Sequence, residues 1–159
     1  MSGLILLRIL IVLSAGACFY CALREAPRRT IRLRRLFRAP WAGALAALLL
    51  VLFQLGLRQP AWPFIAALVL GLAAGGARGL TMRLEVDEYW LVVRPPGRRA
   101  MIWIGSAVAA SAAIDIAGVL VGPDGADWRF AAALLVVGCV GALFGRALGV
   151  TVRVWRMST

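Results

Sequence analysis

Five long apolar blocks constrain the fold of this 159-residue chain more than any other feature of its sequence. The blocks cover residues 4–23, 41–57, 64–77, 100–121 and 130–150. A helix of about 17–25 apolar residues crosses the hydrocarbon core of a bilayer, and the third block reaches that length if it continues to residue 82. Hydrophobic residues make up 62% of the chain, which leaves too little polar surface to enclose five such blocks in a water-soluble core. The sequence therefore predicts an all-α membrane protein, a bundle of about five transmembrane helices.

The positions of the basic residues predict how this bundle is oriented. The chain has 18 basic residues, all arginine, against 7 acidic ones, and its net charge is +11. Arginines crowd the segments 24–40 and 78–99, whereas 58–63 and 121–128 carry few. Arginine-rich loops stay in the cytoplasm, so we expect the amino terminus outside and the carboxyl terminus inside. The expected cytoplasmic basic face comprises Arg28, Arg29, Arg32, Arg34, Arg35, Arg38, Arg83 and Arg153.

Arginines that border apolar spans favour a membrane partner over nucleic acid. We expect this face to bind anionic lipid head groups, and we expect no nucleic-acid partner. The exclusive use of arginine, with much alanine and glycine, is typical of a GC-rich bacterial genome. The predicted location is therefore a bacterial inner membrane.

Residues 1–23 are interpreted as an added amino-terminal transmembrane helix. Their rival interpretation is a lipoprotein signal, because residues 15–18 end in a cysteine that could be acylated. The position three before that cysteine is Ala15 rather than leucine, and the arginines that follow would resist translocation. We therefore expect the segment to be retained.

A duplication is the most informative pattern in the chain. Residues 71–84 and 141–154 share Gly-x3-Gly-x3-Gly, followed by aliphatic-Thr-aliphatic-Arg-aliphatic. The pattern predicts two parallel two-helix repeats, 41–84 and 103–154, related by an axis along the membrane normal. Glycine at every fourth position lets helix backbones approach closely, so we expect this face to pack within the protein. The alternative is that the face forms a groove for a lipid tail or a partner helix. The glycines expected to pack across the axis are Gly71, Gly75, Gly79, Gly141, Gly145 and Gly149.

Alternation of apolar residues predicts a short cytoplasmic β-hairpin over residues 80–95, with Asp87 and Glu88 at its turn. Residues 150–154 alternate in the same way and could add a third strand. The alternative is that both segments are the ends of helices.

Asp115 is the one acidic residue inside an apolar block. An intramembrane carboxylate is costly, so it is a functional candidate that needs a partner. Arg8 is the preferred partner because the topology places it at a similar depth, and Arg129 and Gln54 are the next candidates. The alternative is a structural ion pair, or a protonated acid that is hydrogen-bonded to Ser111.

Cys18 and Cys21 form a Cys-x-x-Cys inside the first apolar block. A redox pair is the functional interpretation, although an apolar span lacks the electropositive setting that activates a thiol. Inert small residues are the favoured interpretation. Three cysteines without histidine do not predict a metal site, and no catalytic residues or cofactors are expected.

The run 75–87, with residues 93–95 and Trp103, resembles the central stretch of small bacterial membrane proteins called CcdC-like. The shared features are a glycine-rich helix, an Arg-Gly…Arg-aliphatic-x-Val-Asp exit, a short hairpin and a tryptophan-led helix. The similarity covers roughly residues 41–154 and implies a four-helix pattern, from which the helix at 1–23 departs. The family is named for gene neighbourhoods of cytochrome c maturation, and the resemblance implies no activity or catalytic residue.

These features together predict a non-catalytic protein, an accessory or scaffolding subunit of a larger inner-membrane complex with other membrane-protein subunits as partners. Close-packing glycine faces and a basic cytoplasmic surface are the reasons. The alternatives are a small proton- or ion-coupled transporter that uses Asp115, and a membrane thiol redox carrier that uses Cys18 and Cys21.

Overall fold

The computed structural model describes residues 2–25, 31–32, 37–81, 85–87, 92–94, 98–121 and 126–157. The helices are α1 (Ser2–Glu25), α2 (Arg38–Gly56), α3 (Trp62–Thr81), α4 (Arg98–Val121) and α5 (Ala126–Met157). The strands are β1 (Ile31–Arg32), β2 (Glu85–Asp87) and β3 (Val92–Arg94). The predicted helical class is confirmed, with one long helix over each apolar block.

Three of these helices are long and apolar enough to cross a membrane, judged within the described part of the chain by length and composition. They are Arg38–Gly56, Trp62–Thr81 and the stretch Asp127–Arg156 within α5. At about 1.5 Å per residue, α5 is roughly 48 Å long. A bilayer with its head groups is about 40–45 Å thick, and among the described helices α5 alone exceeds this thickness.

The connection from α2 to α3 is a tight helix-ending turn. Arg58 adopts a positive φ of 61°, and its N–H donates to the Leu55 carbonyl while the Gln59 N–H donates to the Gln54 carbonyl. This pair of bonds satisfies carbonyls that the last turn of α2 leaves open. Pro60 follows the turn and cannot continue the helix.

Four of the helices share one core, in which α1 packs on α2 and α4, and α5 packs on α2 and α4. Small residues line it, among them Cys18 of α1, Gly43 of α2 and Val140 of α5. A methyl group on Gly43 would lie 2.9 Å from a Val140 methyl and 3.3 Å from the Cys18 sulfur, so the three helices meet there at close range.

Helix α3 lies at the edge of this core, to which it contributes Phe64. Among the described residues, its extensive contact is with α5 alone, and it does not pack along α2 or α4. Within residues 41–84, α2 and α3 are joined by a tight turn, but they do not pack along each other. In the second predicted hairpin, α4 and α5 do pack along each other.

The β-structure is smaller than predicted and has different members. Residues 85–87 pair antiparallel with 92–94, and residues 31–32 from the arginine-rich segment pair with the free edge of β3. The predicted hairpin over residues 80–95 is not supported at that length, because α3 continues through Thr81, whose hydroxyl donates to the Ala77 carbonyl. Residues 82–84, 88–91 and 95 of the predicted hairpin lie outside the described residues.

Residues 150–154, which could have added a third strand, belong to the end of α5, as the alternative interpretation predicted. Val150 and Val154 are buried while Val152 is exposed. Spacing of four residues places the first two on one helix face, whereas a strand would have placed all three together. The alternation of apolar residues in this segment suits a strand as well as a helix, so the sequence pattern did not distinguish the two.

Candidate functional site

Among the described helices, the closest contact is the interface between α3 and α5, where two sets of glycines bring the backbones together. A methyl group added to Gly71 would overlap the Gly138 carbonyl oxygen, and one added to Gly75 would overlap the Ala142 carbonyl oxygen. From the other side, a methyl group on Gly145 would overlap the Leu72 carbonyl oxygen. Glycine is required at these positions because any side chain would force the two helices apart.

The interface is reciprocal. Gly71 of α3 lies against Ala142 of α5, and Gly141 of α5 lies against Leu72 of α3, which is the equivalent position in the other repeat. Gly79 and Gly149 contact each other, with 3.3 Å between an added methyl on Gly79 and the Gly149 Cα. Such exchange of positions is the property of a two-fold axis. The structure brings the two predicted glycine sets together around a local axis parallel to both helices.

Aromatic residues repeat the relation near the other end of the interface. Phe64 and Phe130 occupy equivalent positions after Trp62 and Trp128, and their rings pack edge to face with centroids 5.4 Å apart. Edge-to-face pairs stabilise a contact beyond the area that they bury.

An apolar groove opens where α2 and α3 stand apart. Helix α5 forms its floor and the two other helices form its walls, around a volume of about 510 Å³. Its lining includes Ala44 and Leu48 of α2, Ile65 and Leu68 of α3, and Val137 and Phe144 of α5. No charged residue occurs among the described residues that line it, so the groove suits an apolar occupant.

Asp115 is buried and forms an ion pair, but its partner differs from the preferred one. The Arg129 Nε donates to the Asp115 carboxylate at 3.1 Å, and the two side chains are 13% and 4% exposed. The guanidinium carbon of Arg129 lies 4.9 Å from the centroid of the Phe53 ring, so α2 also holds it in place. Helices α4 and α5 pack along each other, and the long Arg129 side chain reaches the Asp115 carboxylate from α5.

The preferred partner, Arg8, forms neither a hydrogen bond nor an ion pair with Asp115, and its Nε is buried without a partner among the described residues. Gln54 is 2% exposed, and its side-chain nitrogen is also buried and unpartnered within the described part of the chain. The Ser111 hydroxyl donates to the Ala107 carbonyl of its own helix at 2.7 Å, not to Asp115.

Cys18, Cys21 and Cys139 form no disulfide bond with one another, and Cys18 is fully buried while Cys21 is half-buried. The redox interpretation of Cys18 and Cys21 stays a prediction. No group of three potential metal-ligating side chains occurs among the described residues.

Two arginines of α5 have structural positions that the sequence did not reveal. Arg146 is buried beside Gly79, although it interrupts an apolar block. Arg153 donates to the Leu80 carbonyl at 2.9 Å and caps the last turn of α3. The shared Thr-aliphatic-Arg pattern marked Arg153 as special, but as part of a basic face and not as a cap.

The rest of the predicted basic face is described only in part. Arg38 is exposed at the start of α2, and Arg32 belongs to β1. The remaining members, Arg28, Arg29, Arg34, Arg35 and Arg83, lie outside the described residues.

The helical fold and the length and apolar composition of its helices show that this chain is a helical protein with helices able to cross a membrane. No protein family, no curated protein and no solved structure matches it. The resemblance to CcdC-like proteins stays a prediction.

Proposed function

We propose that the chain is a five-span protein of a bacterial inner membrane, with its amino terminus outside and its carboxyl terminus in the cytoplasm. Besides the three apolar helices, α1 and α4 are each 24 residues long, which is enough to span. Tryptophans stand exposed near helix ends, as an interfacial belt requires. On α5, Trp128 and Trp155 are about 40 Å apart along the axis, close to the thickness of a bilayer with its head groups.

Within that membrane, the proposed function is that of a non-catalytic accessory subunit that holds a transmembrane helix of another membrane protein. The groove between α2 and α3 is the observation that carries the proposal. It is open, apolar and floored by α5. The arginine-rich cytoplasmic face would anchor the assembly to anionic lipids.

The local two-fold axis supports a helix as the occupant of the space beside α3. Helices α3 and α5 are equivalent in the repeat, and α5 has a helix on each flank, α2 and α4. Among the described residues, neither flank of α3 is covered to a similar extent. A partner helix in the groove would give α3 one of the flanking contacts that α5 already has.

The walls of the groove suit helix packing. Small side chains such as Ala44 and Ala47 on α2 alternate with Leu48 and Val51, which gives a surface of knobs and gaps. Association between helices in lipid depends on such close packing, because lipid tails are as apolar as leucine and provide no hydrophobic drive.

A photo-reactive amino acid placed at Leu68 or Leu48, both exposed in the groove, tests this proposal in native membranes. We expect one protein adduct of defined mass from each groove position. Leu13 of α1 is exposed away from the groove and serves as the matched control position, which we expect to yield lipid adducts.

Filling the groove supplies the second arm of the test. Ala44→Phe should reduce the protein adduct at least about tenfold, whereas Ala66→Phe, on an exposed face of α3 outside the lining, should leave it unchanged. Lipid adducts alone, or an adduct of twice the chain's mass, would show a lipid site or a dimer and contradict the proposal. Substrate turnover by the purified protein that is lost in Asp115→Asn would contradict its non-catalytic part.

A further inference from the structure

A layer of polar side chains closes one end of the four-helix core. Each core helix turns a stripe of buried residues inward at three- and four-residue spacing, and a polar residue lies at or near one end of each stripe. These residues are Arg8 of α1, Gln54 of α2, Asp115 of α4 and Arg129 of α5. All four lie toward the same end of the bundle, and the core is apolar toward the opposite end.

The contacts lower in the core fix the depth of this layer. Cys18, Gly43 and Val140 meet at one level. At about 1.5 Å per residue, Gln54 and Arg129 both lie roughly 16 Å from that level, in the same direction because α2 and α5 are antiparallel.

The other two members follow from a second contact. A methyl group on Gly105 would lie 2.9 Å from the Ala22 methyl, which sets the register of α1 against α4. On this register Arg8 lies within about 2 Å of the depth of Gln54, and Asp115 lies roughly 7 Å nearer to the apolar part of the core.

Hydrogen-bond donors outnumber acceptors in this layer. Arg8 Nε, Gln54 Nε2 and one terminal nitrogen of Arg129 are buried, and none has a partner among the described residues. Asp115 is the one buried acid in the described part of the chain, and Arg129 already occupies it. Buried donors without acceptors are costly, and here the formal charge of the four residues is also positive by one.

We propose that this layer is a binding site for an oxyanion of the phosphate type, with Gln54 and Arg129 as its main ligands and Arg8 as a third donor. An oxyanion supplies several acceptor lone pairs and one negative charge, which are the two things that the layer lacks. The guanidinium of Arg129 is fixed for this purpose by Asp115 on one side and by the Phe53 ring on the other. Gln54 follows Phe53 in α2, so its backbone lies at nearly the same depth as the ring that holds the guanidinium, and its buried side chain belongs to the same polar layer.

The anion can come from the phosphodiester of a lipid head group or from free phosphate, and Arg129 is exposed enough to admit either. The site lies apart from the apolar groove and does not depend on the accessory function proposed for it.

Thermal unfolding of the full chain in a neutral detergent, followed by tryptophan fluorescence, tests the proposal. One arm titrates sodium phosphate against sodium chloride at equal ionic strength. The other titrates short-chain phosphatidylglycerol against a short-chain diacylglycerol, which lacks the phosphodiester. Ligand that binds only the folded state raises Tm in a saturable way. A response to phosphate in the first arm identifies free anion as sufficient, and a response only in the second arm identifies the head group.

Gln54→Leu is the deciding variant because it removes a buried unpaired amide and is expected to fold at least as well as the parent. We expect it to raise the half-saturating ligand concentration at least about tenfold, equivalent to about 1.4 kcal/mol. Gln59→Leu, the same substitution in the nearby turn, should leave that concentration unchanged. Gln54→Glu should remove the response altogether, because its carboxylate would accept the bonds that the anion accepts.

The proposal is overturned if the parent responds to neither ligand, or if the parent and Gln54→Leu respond at the same concentrations. In either case water satisfies the buried donors, and the layer is only structural.

Discussion

Gly75→Ala tests whether the backbone contact of α3 with α5 holds α3 in place. The new methyl group would overlap the Ala142 carbonyl oxygen and lie 2.7 Å from both the carbonyl carbon and the Cα of that residue. Carbon atoms in contact prefer about 3.5–4.0 Å, so the helices must separate by roughly an ångström. The obstacle is backbone, which cannot rotate away as a side chain can.

This overpacking should lower the free energy of unfolding by about 1–3 kcal/mol. Gly76→Ala is the matched control, because its methyl group would find its nearest neighbour, the Gly145 carbonyl oxygen, at 3.8 Å. That distance is an ordinary contact, and we expect a change within about 0.5 kcal/mol.

Unfolding in mixed micelles with increasing dodecyl sulfate, followed by tryptophan fluorescence, measures both variants. Helices persist in that unfolded state, so the difference reports packing more than helix propensity. Equal stabilities for Gly75→Ala and Gly76→Ala would refute the reasoning. A double variant adds a second check: Gly71→Ala and Gly141→Ala are in contact, so their combined cost should fall short of the sum of the single costs.

Three further results are expected. Asp115→Leu should lower the free energy of unfolding by about 3–5 kcal/mol because it leaves Arg129 buried and unpaired. Adding Arg129→Met should recover most of this loss in the same unfolding assay. If the losses of the two single variants simply add in the double variant, the pairing is contradicted. Cys18 is fully buried, so a maleimide should modify it only at the rate of unfolding, as mass spectrometry of quenched samples can show; rapid labelling of the folded protein would be inconsistent with this position. Arg153→Gln removes the bond to the Leu80 carbonyl, so hydrogen exchange at the carboxyl end of α3 should accelerate while the rest of the helix is unchanged; uniform exchange rates in the two proteins would contradict the capping role.

Hydrophobic patterning alone located the helices, because an apolar run of span length has few other stable forms. It also identified the glycines that meet across α3 and α5, since glycine at every fourth position places a surface without side chains on one face of a helix. The polar residues Gln54, Asp115 and Arg129 could likewise be singled out from the sequence, because each is exceptional at its position.

Partners and extents, in contrast, required the tertiary structure. Asp115 had two arginines within reach of its depth, and only the packing of α4 on α5 selects Arg129 over Arg8. Residues 150–154 carry a pattern that suits a strand or a helix, and burial of Val150 and Val154 against neighbouring helices decides for the helix.

The internal repeat shows most clearly where sequence information ends. Duplication of the glycine pattern determined that α3 and α5 are equivalent and can approach closely. It did not determine that α5 would have a helix on both flanks while α3 packs extensively on α5 alone. This difference opens the groove beside α3. The reason is physical: local spacing specifies which face of a helix can pack, whereas the number of neighbours it gains depends on how all the helices share a single core.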